Sequence, residues 1–312
     1  MELDTIYNED CLEGMKRIPD GSVDCIICDL PYGTMQKVLR GNDRSVFDWD
    51  VALPTMELFT QYERVLRMNG TAVLFSAEPY TNHLRSFRYQ NTNFYFAYPM
   101  MWKKDSFGNH LIAKYAPVSY FEDISVFFKK YDTCNQHPVR EYAKAVMRYC
   151  GVTSCKQINE VLGHRHAEHF FYVDSMQFNL CTRETYDELI RRYQIDKMDG
   201  FKTYDELVAM DAKFGRTFNL PEGKNSLSNV LEVPKDRDGL HPTQKPIELM
   251  AQLIRTFSNP GDTILDNTIG SGTTAVAALR EKRHFIGFEL NRDYYDIALR
   301  RINLEQQQQT LF

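Results

Sequence analysis

From Thr263 to Glu289 the chain reads as one unit. Thr263-Ile264-Leu265-Asp266 is a short apolar run, and a glycine-bearing turn, Asn267 to Gly272, follows it. Thr273–Arg280 has helical spacing, and His284-Phe285-Ile286-Gly287-Phe288 is a second apolar run. Strand, turn, helix, strand is a βαβ unit, which calls for a parallel sheet with helices packed on it. Glycines in the turn let backbone approach a ligand, and the helix start offers free amides. Glu289 follows the turn by about twenty residues, where a carboxylate typically holds a ribose diol. The segment predicts a nucleoside-cofactor site drawing on Asp266, Thr268, Gly270, Gly272, Thr273 and Glu289. Glycines serving only close helix packing would leave Glu289 without a role.

The same alternation runs through the first third of the chain. Residues 22–29 read as a buried strand closed by a turn at Pro31 and Gly33. A helix is predicted over Val51–Met68, stopped by Asn69-Gly70, with a strand at Thr71–Ser76, a helix near Tyr80–Tyr89 and strands at Phe94–Trp102 and Ile124–Phe128. Helices near Pro246–Phe257 and Arg292–Leu304 flank the βαβ unit, and Gln306–Gln309 is expected to fray. From about residue 131 to 235 strand-like runs disappear and short capped helices dominate. Two Thr-x-x-Glu repeats there, Thr185 with Glu188 and Thr203 with Glu206, have the spacing of capping boxes. The expectation is a doubly wound, Rossmann-like α/β sheet in two halves, 1–130 and 236–312, interrupted by a helical domain at 131–235.

Composition narrows the function classes. With 43% hydrophobic and 25% charged residues in 312, the chain can bury a sizeable core. No basic leader or membrane-length apolar run is present, and seven irregularly spaced cysteines do not make a secreted disulfide framework, so a cytoplasmic protein with reduced thiols is expected. Cys25 and Cys28 form a CxxC inside an apolar run with no second pair to complete a zinc site, and read as buried strand cysteines. A net charge of −5 argues against coating nucleic acid by bulk charge. Residues 129–166, however, carry seven Lys/Arg against three acids, enough for one phosphate-facing surface. An ordinary solvated helical surface explains that charge equally well.

The strand at 23–28 delivers Asp29-Leu30-Pro31-Tyr32. The exocyclic amine of adenine is a poor nucleophile because its lone pair is delocalised into the ring. A catalyst must accept hydrogen bonds from its N–H groups and draw the nitrogen towards sp³ geometry. The Asp29 carboxylate and the Pro31 carbonyl can each accept one, with proline fixing the turn. Tyr32 offers a face on which a flipped-out base can stack. As a bare tetrapeptide, a strand-ending proline turn is the commoner meaning; beside the cofactor pattern, catalysis is the better one.

With these two motifs in this order, the chain resembles the DNA amino-methyltransferases in the circularly permuted arrangement, catalytic motif first and cofactor motif last, over residues 3–130 and 236–312. Tyr7-Asn8-Glu9-Asp10-Cys11-Leu12 is similar to the family's N-terminal element, which implies that Asp10, with Cys11 beside it, meets the cofactor's adenine. His241-Pro242-Thr243-Gln244-Lys245-Pro246 resembles the family's cofactor-pocket segment and implies that Thr243 and Lys245 lie near the methionine end. Met101–Lys104 and Phe121–Phe127 look like strands flanking the base pocket. Leu30 stands where the family usually has Pro, and Thr268 where it usually has an aromatic residue. The resemblance implies S-adenosylmethionine as cofactor, no metal, double-stranded DNA as substrate, and a homodimer and a cognate restriction endonuclease as partners. Asp29 leans towards adenine N6, since relatives acting on cytosine N4 more often carry serine there. Rival readings are cytosine N4 methylation, modification of RNA or a protein glutamine, and a DNA-binding regulator without catalysis.

Within the insert, Thr153–Gly163 followed by His164–Tyr172 looks like a helix-turn-helix, capped by Ser154 and turned at Gly163, which would bring His164, Arg165 and His166 to DNA. Two packed helices without that role are as good a reading. A zinc site from Cys155, His164, His166 and His169 matches no common spacing.

Overall fold

The computed structural model describes residues 1–32, 51–87, 93–107, 113–129, 137–175, 177–236 and 244–309. Two compact units emerge: one made of Met1–Lys130 with Arg216–Phe312, the other of Tyr131–Gly215.

The first unit is built on eight strands: β1 (Thr5–Tyr7), β2 (Val23–Asp29), β3 (Leu66–Ser76), β4 (Phe94–Lys103), β5 (Phe121–Lys129), β6 (Val230–Glu232), β7 (Thr263–Asp266) and β8 (His284–Phe288). Their order is β1-β8-β7-β2-β3-β5-β4-β6, with β5 alone running against its two neighbours. Strand alternation divides the core. Cys25, Ile27, Val73, Phe75 and Ile124 face a layer that includes α8 (Ile247–Phe257), α9 (Thr273–Arg280) and α10 (Arg292–Gln309). Ile26, Cys28, Ala72, Leu74 and Phe127 face α1 (Cys11–Met15), α2 (Thr55–Val65) and α3 (Tyr80–Ser86) on the other side. A strand covered on both faces must be apolar throughout, as Val23–Cys28 nearly is. Full burial of each such side chain contributes roughly 1.5–3 kcal/mol. The CxxC cysteines thus point to opposite layers, and burial pushes both thiols well up.

Several element boundaries differ from the sequence expectation. Helix α2 starts at Thr55 because Pro54 occupies its N-cap, and it stops at Val65, so Asn69-Gly70 lies inside β3. There Asn69 takes a left-handed φ of 62° and a side chain at Gly70 would meet the Arg67 carbonyl at 2.9 Å. Helix α10 continues to Gln309, so the glutamines expected to fray are helical; Glu305, about one turn before the helix end, is clamped by Arg280 at 2.8 and 3.0 Å. The insert ends at Gly215 rather than 235, because β6 adds to the sheet edge beside β4 and Trp102 Nε1 donates to the Val233 carbonyl at 2.7 Å.

The second unit holds α4 (Pro138–Tyr149), α5 (Cys155–Leu162), α6 (Arg183–Tyr193) and α7 (Tyr204–Phe214) around its own core, with Ile158, Phe170, Tyr186 and Leu189 buried. Helix α5 is capped at its start by Ser154, whose N–H donates to Gln157, and at its end by a left-handed Gly163. The helix-turn-helix does not form. After Gly163 the chain closes tight i to i+3 turns, with N–H of Glu168, Phe170 and Phe171 donating to Arg165, Ala167 and Glu168, and only His169–Phe171 is a 3₁₀ helix. Adjacent Phe170 and Phe171 are both buried, which one face of a short α-helix does not readily permit. The Thr203–Glu206 capping box is present, but the Thr185 box is not: Thr182 caps α6 and Glu188 instead binds His164 at 2.8 Å. Among the described residues no helix is long and apolar enough to cross a membrane.

Candidate active site

Strands β8, β7 and β2 are parallel neighbours, and their carboxyl ends carry Glu289, Asp266 and Asp29. In an open parallel sheet this is the edge where ligands bind. The permuted order therefore joins residues more than two hundred positions apart into one site. A cavity of about 370 Å³ opens there. Of the expected site residues, Asp10, Cys11, Asp29, Pro31, Tyr32, Lys245, Asp266, Thr268, Gly270, Thr273 and Glu289 line it. Gly272 does not: it caps α9 at φ 84°, and a side chain there would meet Ala298 Cβ at 2.9 Å, so its lack of one serves the packing of α10. Thr243, like Gly33, lies outside the described residues.

The glycine turn is held from three sides. Glu289 accepts from the Gly270 N–H at 2.9 Å and the Asn291 N–H at 2.7 Å. Asp266 accepts from the Thr268 N–H at 3.1 Å and the Thr274 hydroxyl at 2.5 Å, and burial raises its pKa to about 7. Arg301 donates to the Ser271 carbonyl at 2.7 Å and to the Thr273 hydroxyl at 3.2 Å. Asp10 uses Oδ1 to cap α1, accepting from Leu12 and Glu13. Each Glu289 oxygen thus keeps acceptor capacity towards the cavity, and Ile269, Phe288 and Leu290 supply apolar wall beside it. A carboxylate for paired hydroxyls next to apolar surface fits a nucleoside.

Sequence reasoning did not foresee what surrounds Asp29. Lys245 pairs with Asp29 Oδ2 and lies 3.1 Å from Glu122, and Lys104 pairs with the other oxygen of Glu122. Burial opposes the Lys245 ammonium, but Asp29 and Glu122 outweigh it and raise its pKa. Burial holds the Asp29 carboxyl above the usual carboxylate range, with Lys245 offsetting only part of the effect. Glu122 is held below that range: burial opposes its charge, and Lys245 and Lys104 prevail. Asp29 Oδ1 is shielded from water and has no hydrogen-bond partner among the described residues. The Thr268 hydroxyl donates to the Asp29 carbonyl at 2.9 Å, a tie between the glycine turn and the end of β2. Beneath them Tyr62 donates to Asn267 at 2.5 Å and lies 3.1 Å from the Cys28 sulfur. The signal for Glu122 and Lys104 was their place in the segments that resemble strands beside a base pocket; the pairing of Glu122 with both Lys104 and Lys245 was not visible.

A family model described as DNA methylase, for the N6 and N4 enzymes, matches residues 23–300. The chain belongs to the DNA methylase family. This DNA methylase is 24% identical to the type II methyltransferase M.HindIII of Haemophilus influenzae over 97% of its own length and 96% of the relative's. It is 42% identical to the DNA adenine methyltransferase YhdJ of Escherichia coli over 81 residues, 24% of this chain and 28% of that one. Its fold is that of M1.HpyAVI, solved with S-adenosylmethionine, at a TM-score of 0.54 and 20% identity over 95% of this chain and 98% of the other. The cytosine-N4-specific PvuII DNA methyltransferase shares it at 0.53 and 15%, over 97% and 90%.

The candidate DNA-reading residues His164, Arg165 and His166 lie in the insert unit. His164 binds Glu188 as described, and Arg165 forks onto both oxygens of Glu168 at 2.8 and 2.9 Å while its side chain stays 75% exposed. Among the described residues no cluster of three His, Cys, Asp or Glu side chains could hold a metal ion.

Proposed function

We propose that this DNA methylase transfers the methyl group of S-adenosylmethionine to N6 of adenine in duplex DNA, acting on a flipped-out base. The observation that carries this reading is the buried Oδ1 of Asp29, without a hydrogen-bond partner among the described residues, on a residue that lines a nucleoside-sized cavity together with Pro31 and Tyr32. A desolvated carboxylate oxygen with no donor is costly unless a ligand N–H satisfies it, and an exocyclic amine supplies one. Bound S-adenosylmethionine provides a methyl group on a sulfonium, already a good leaving group. Glu289 would hold its ribose hydroxyls, Asp10 its base and the amides of the 269–273 turn its flank. Asp29 and the Pro31 carbonyl accept the two N–H bonds of the amine, and Tyr32, whose ring lies 6.4 Å from that of Tyr80 in a stacked arrangement, offers its other face to the base. The carboxylate at 29 and the similarity to a relative named an adenine methyltransferase support adenine over cytosine. Nucleoside mass spectrometry of duplex DNA treated with protein and S-adenosylmethionine is expected to yield N6-methyladenine. N4-methylcytosine in its place would overturn the choice of base, and no methylated nucleoside would overturn the activity.

Contact between the insert and DNA is proposed to run through the exposed Arg165, with His164 and His166 beside it. Arg165→Ala is expected to weaken duplex binding about tenfold and to flatten its salt dependence by roughly one counterion. An unchanged affinity with an unchanged methylated sequence would make Arg165 a structural residue.

A further inference from the structure

We propose that Glu122 and Lys104 are positioning residues of the transfer step: they hold Lys245 against Asp29 Oδ2 and so leave Oδ1 as the acceptor for the target amine. The inference rests on the role given to Asp29 above. Lys104, Glu122, Lys245 and Asp29 form a chain of alternating charge, and their side chains are only 10%, 15%, 4% and 22% exposed. They come from four separate places: the end of β4, the start of β5, the segment before α8 and the end of β2. Desolvation of each ion costs several kcal/mol, and apolar side chains of similar size commonly stabilise such a position at least as well. Three buried charges linked in a chain to one carboxylate are therefore better explained by what they do to it than by what they add to stability.

Their effect on Asp29 has a definite sign. Lys245 both occupies Oδ2 and favours the ionised form of Asp29. Glu122 draws part of that positive charge away, and its own charge disfavours ionisation of Asp29; Lys104 acts in the opposite sense, more weakly. Without Glu122, Lys245 would bear on Asp29 alone. Without Lys104, Glu122 would compete harder for Lys245. Among the described residues, the other groups that act on this chain are Asp266 from β7 and Cys28 on β2, kept protonated by burial, which interact with Asp29 and each other; Tyr32, which acts on Lys245; and Lys235, which acts with Lys104. None of them is altered by the substitutions below.

The test is the acid limb of kcat/KM for DNA methylation, together with a carbon-13 NMR titration of the Asp29 carboxyl in the protein alone. Glu122→Gln is expected to move both midpoints down by about one pH unit and Lys104→Met to move them up. The double variant should move them down by less than Glu122→Gln does. If unpaired charge prevents either single variant from folding, as thermal melts would reveal, the double variant decides: its midpoints should lie below those of wild type, and unchanged or raised midpoints would overturn the inference. Midpoints that stay in place, or that shift in the same direction in both single variants, would overturn the inference. Turnover that survives Asp29→Asn would instead overturn the role of Asp29 itself, so the two failures are distinguishable.

Discussion

Asp29→Ala is expected to lower the single-turnover rate of methyl transfer at least about 10³-fold while leaving the affinity for S-adenosylmethionine within a few-fold of wild type. The amine of adenine gives up its lone pair only as its N–H bonds are drawn into strong acceptors, so the gain from a carboxylate at Oδ1 is realised mainly in the transition state. An interaction of that kind shows in the chemical step rather than in binding. The carboxylate also partners Lys245, and breaking a buried pair costs about 3–5 kcal/mol. Glu122, 3.1 Å from Lys245, limits this loss by remaining as a counter-charge. Asp29→Asn is the companion variant, keeping the shape and one acceptor oxygen but not the charge. Rapid-quench assays with labelled donor give the rate, and calorimetry gives the affinity; turnover of Asp29→Ala within tenfold of wild type would refute the role. The wild-type pH profile carries the same argument. Burial holds the Asp29 carboxyl above the usual range, and a proton on it removes the acceptor. Activity should therefore fall with decreasing pH through a midpoint above that of an ordinary aspartate.

What could be read from the sequence, and what could not, follows the range of the interactions. Strand β7, helix α9 and strand β8 end where glycines, caps and apolar runs end, because those signals act within a turn or two of the chain. The residues proposed for the cofactor come together in one cavity for the same reason: Asp266, Gly270 and Glu289 are spaced by one βαβ unit. The expected helix from Val51 to Met68 is too long at both ends: Pro54 caps its start, and after Val65 the chain turns directly into β3. The helix expected after Gly163 failed on packing: burial of Phe170 and Phe171 together, and the pull of Glu188 on His164, favour tight turns that no local propensity announces. The charge chain was the least legible feature. Glu122 reaches the site because β5 pairs with β4 in a register that sets it opposite Trp102, and Lys245 arrives from the far end of the chain. Register and long-range closure decide such partners, and neither is written in the residues around Glu122.

Glu289→Ala is expected to weaken binding of S-adenosylmethionine by about 10²-fold. If Glu289 accepts from both ribose hydroxyls, the loss is that of two hydrogen bonds to a charged group, about 3 kcal/mol in sum at the lower end of the usual range. Part of the loss has a second source, because the same carboxylate accepts from the N–H groups of Gly270 and Asn291 and so shapes the turn. A donor analogue lacking the 2′-hydroxyl separates the two. Removing that hydroxyl should weaken binding to wild type but cost much less in Glu289→Ala, since the partner is already gone; the shortfall from additivity measures the direct contact. If the turn alone were responsible, analogue and substitution would add in full. Glu289→Gln refines the comparison: its amide keeps one acceptor oxygen and cannot serve both backbone donors as the carboxylate does, so an intermediate affinity is expected. Calorimetry across the four combinations of protein and donor checks all of this without DNA, and an unchanged dissociation constant for Glu289→Ala would remove Glu289 from the cofactor site.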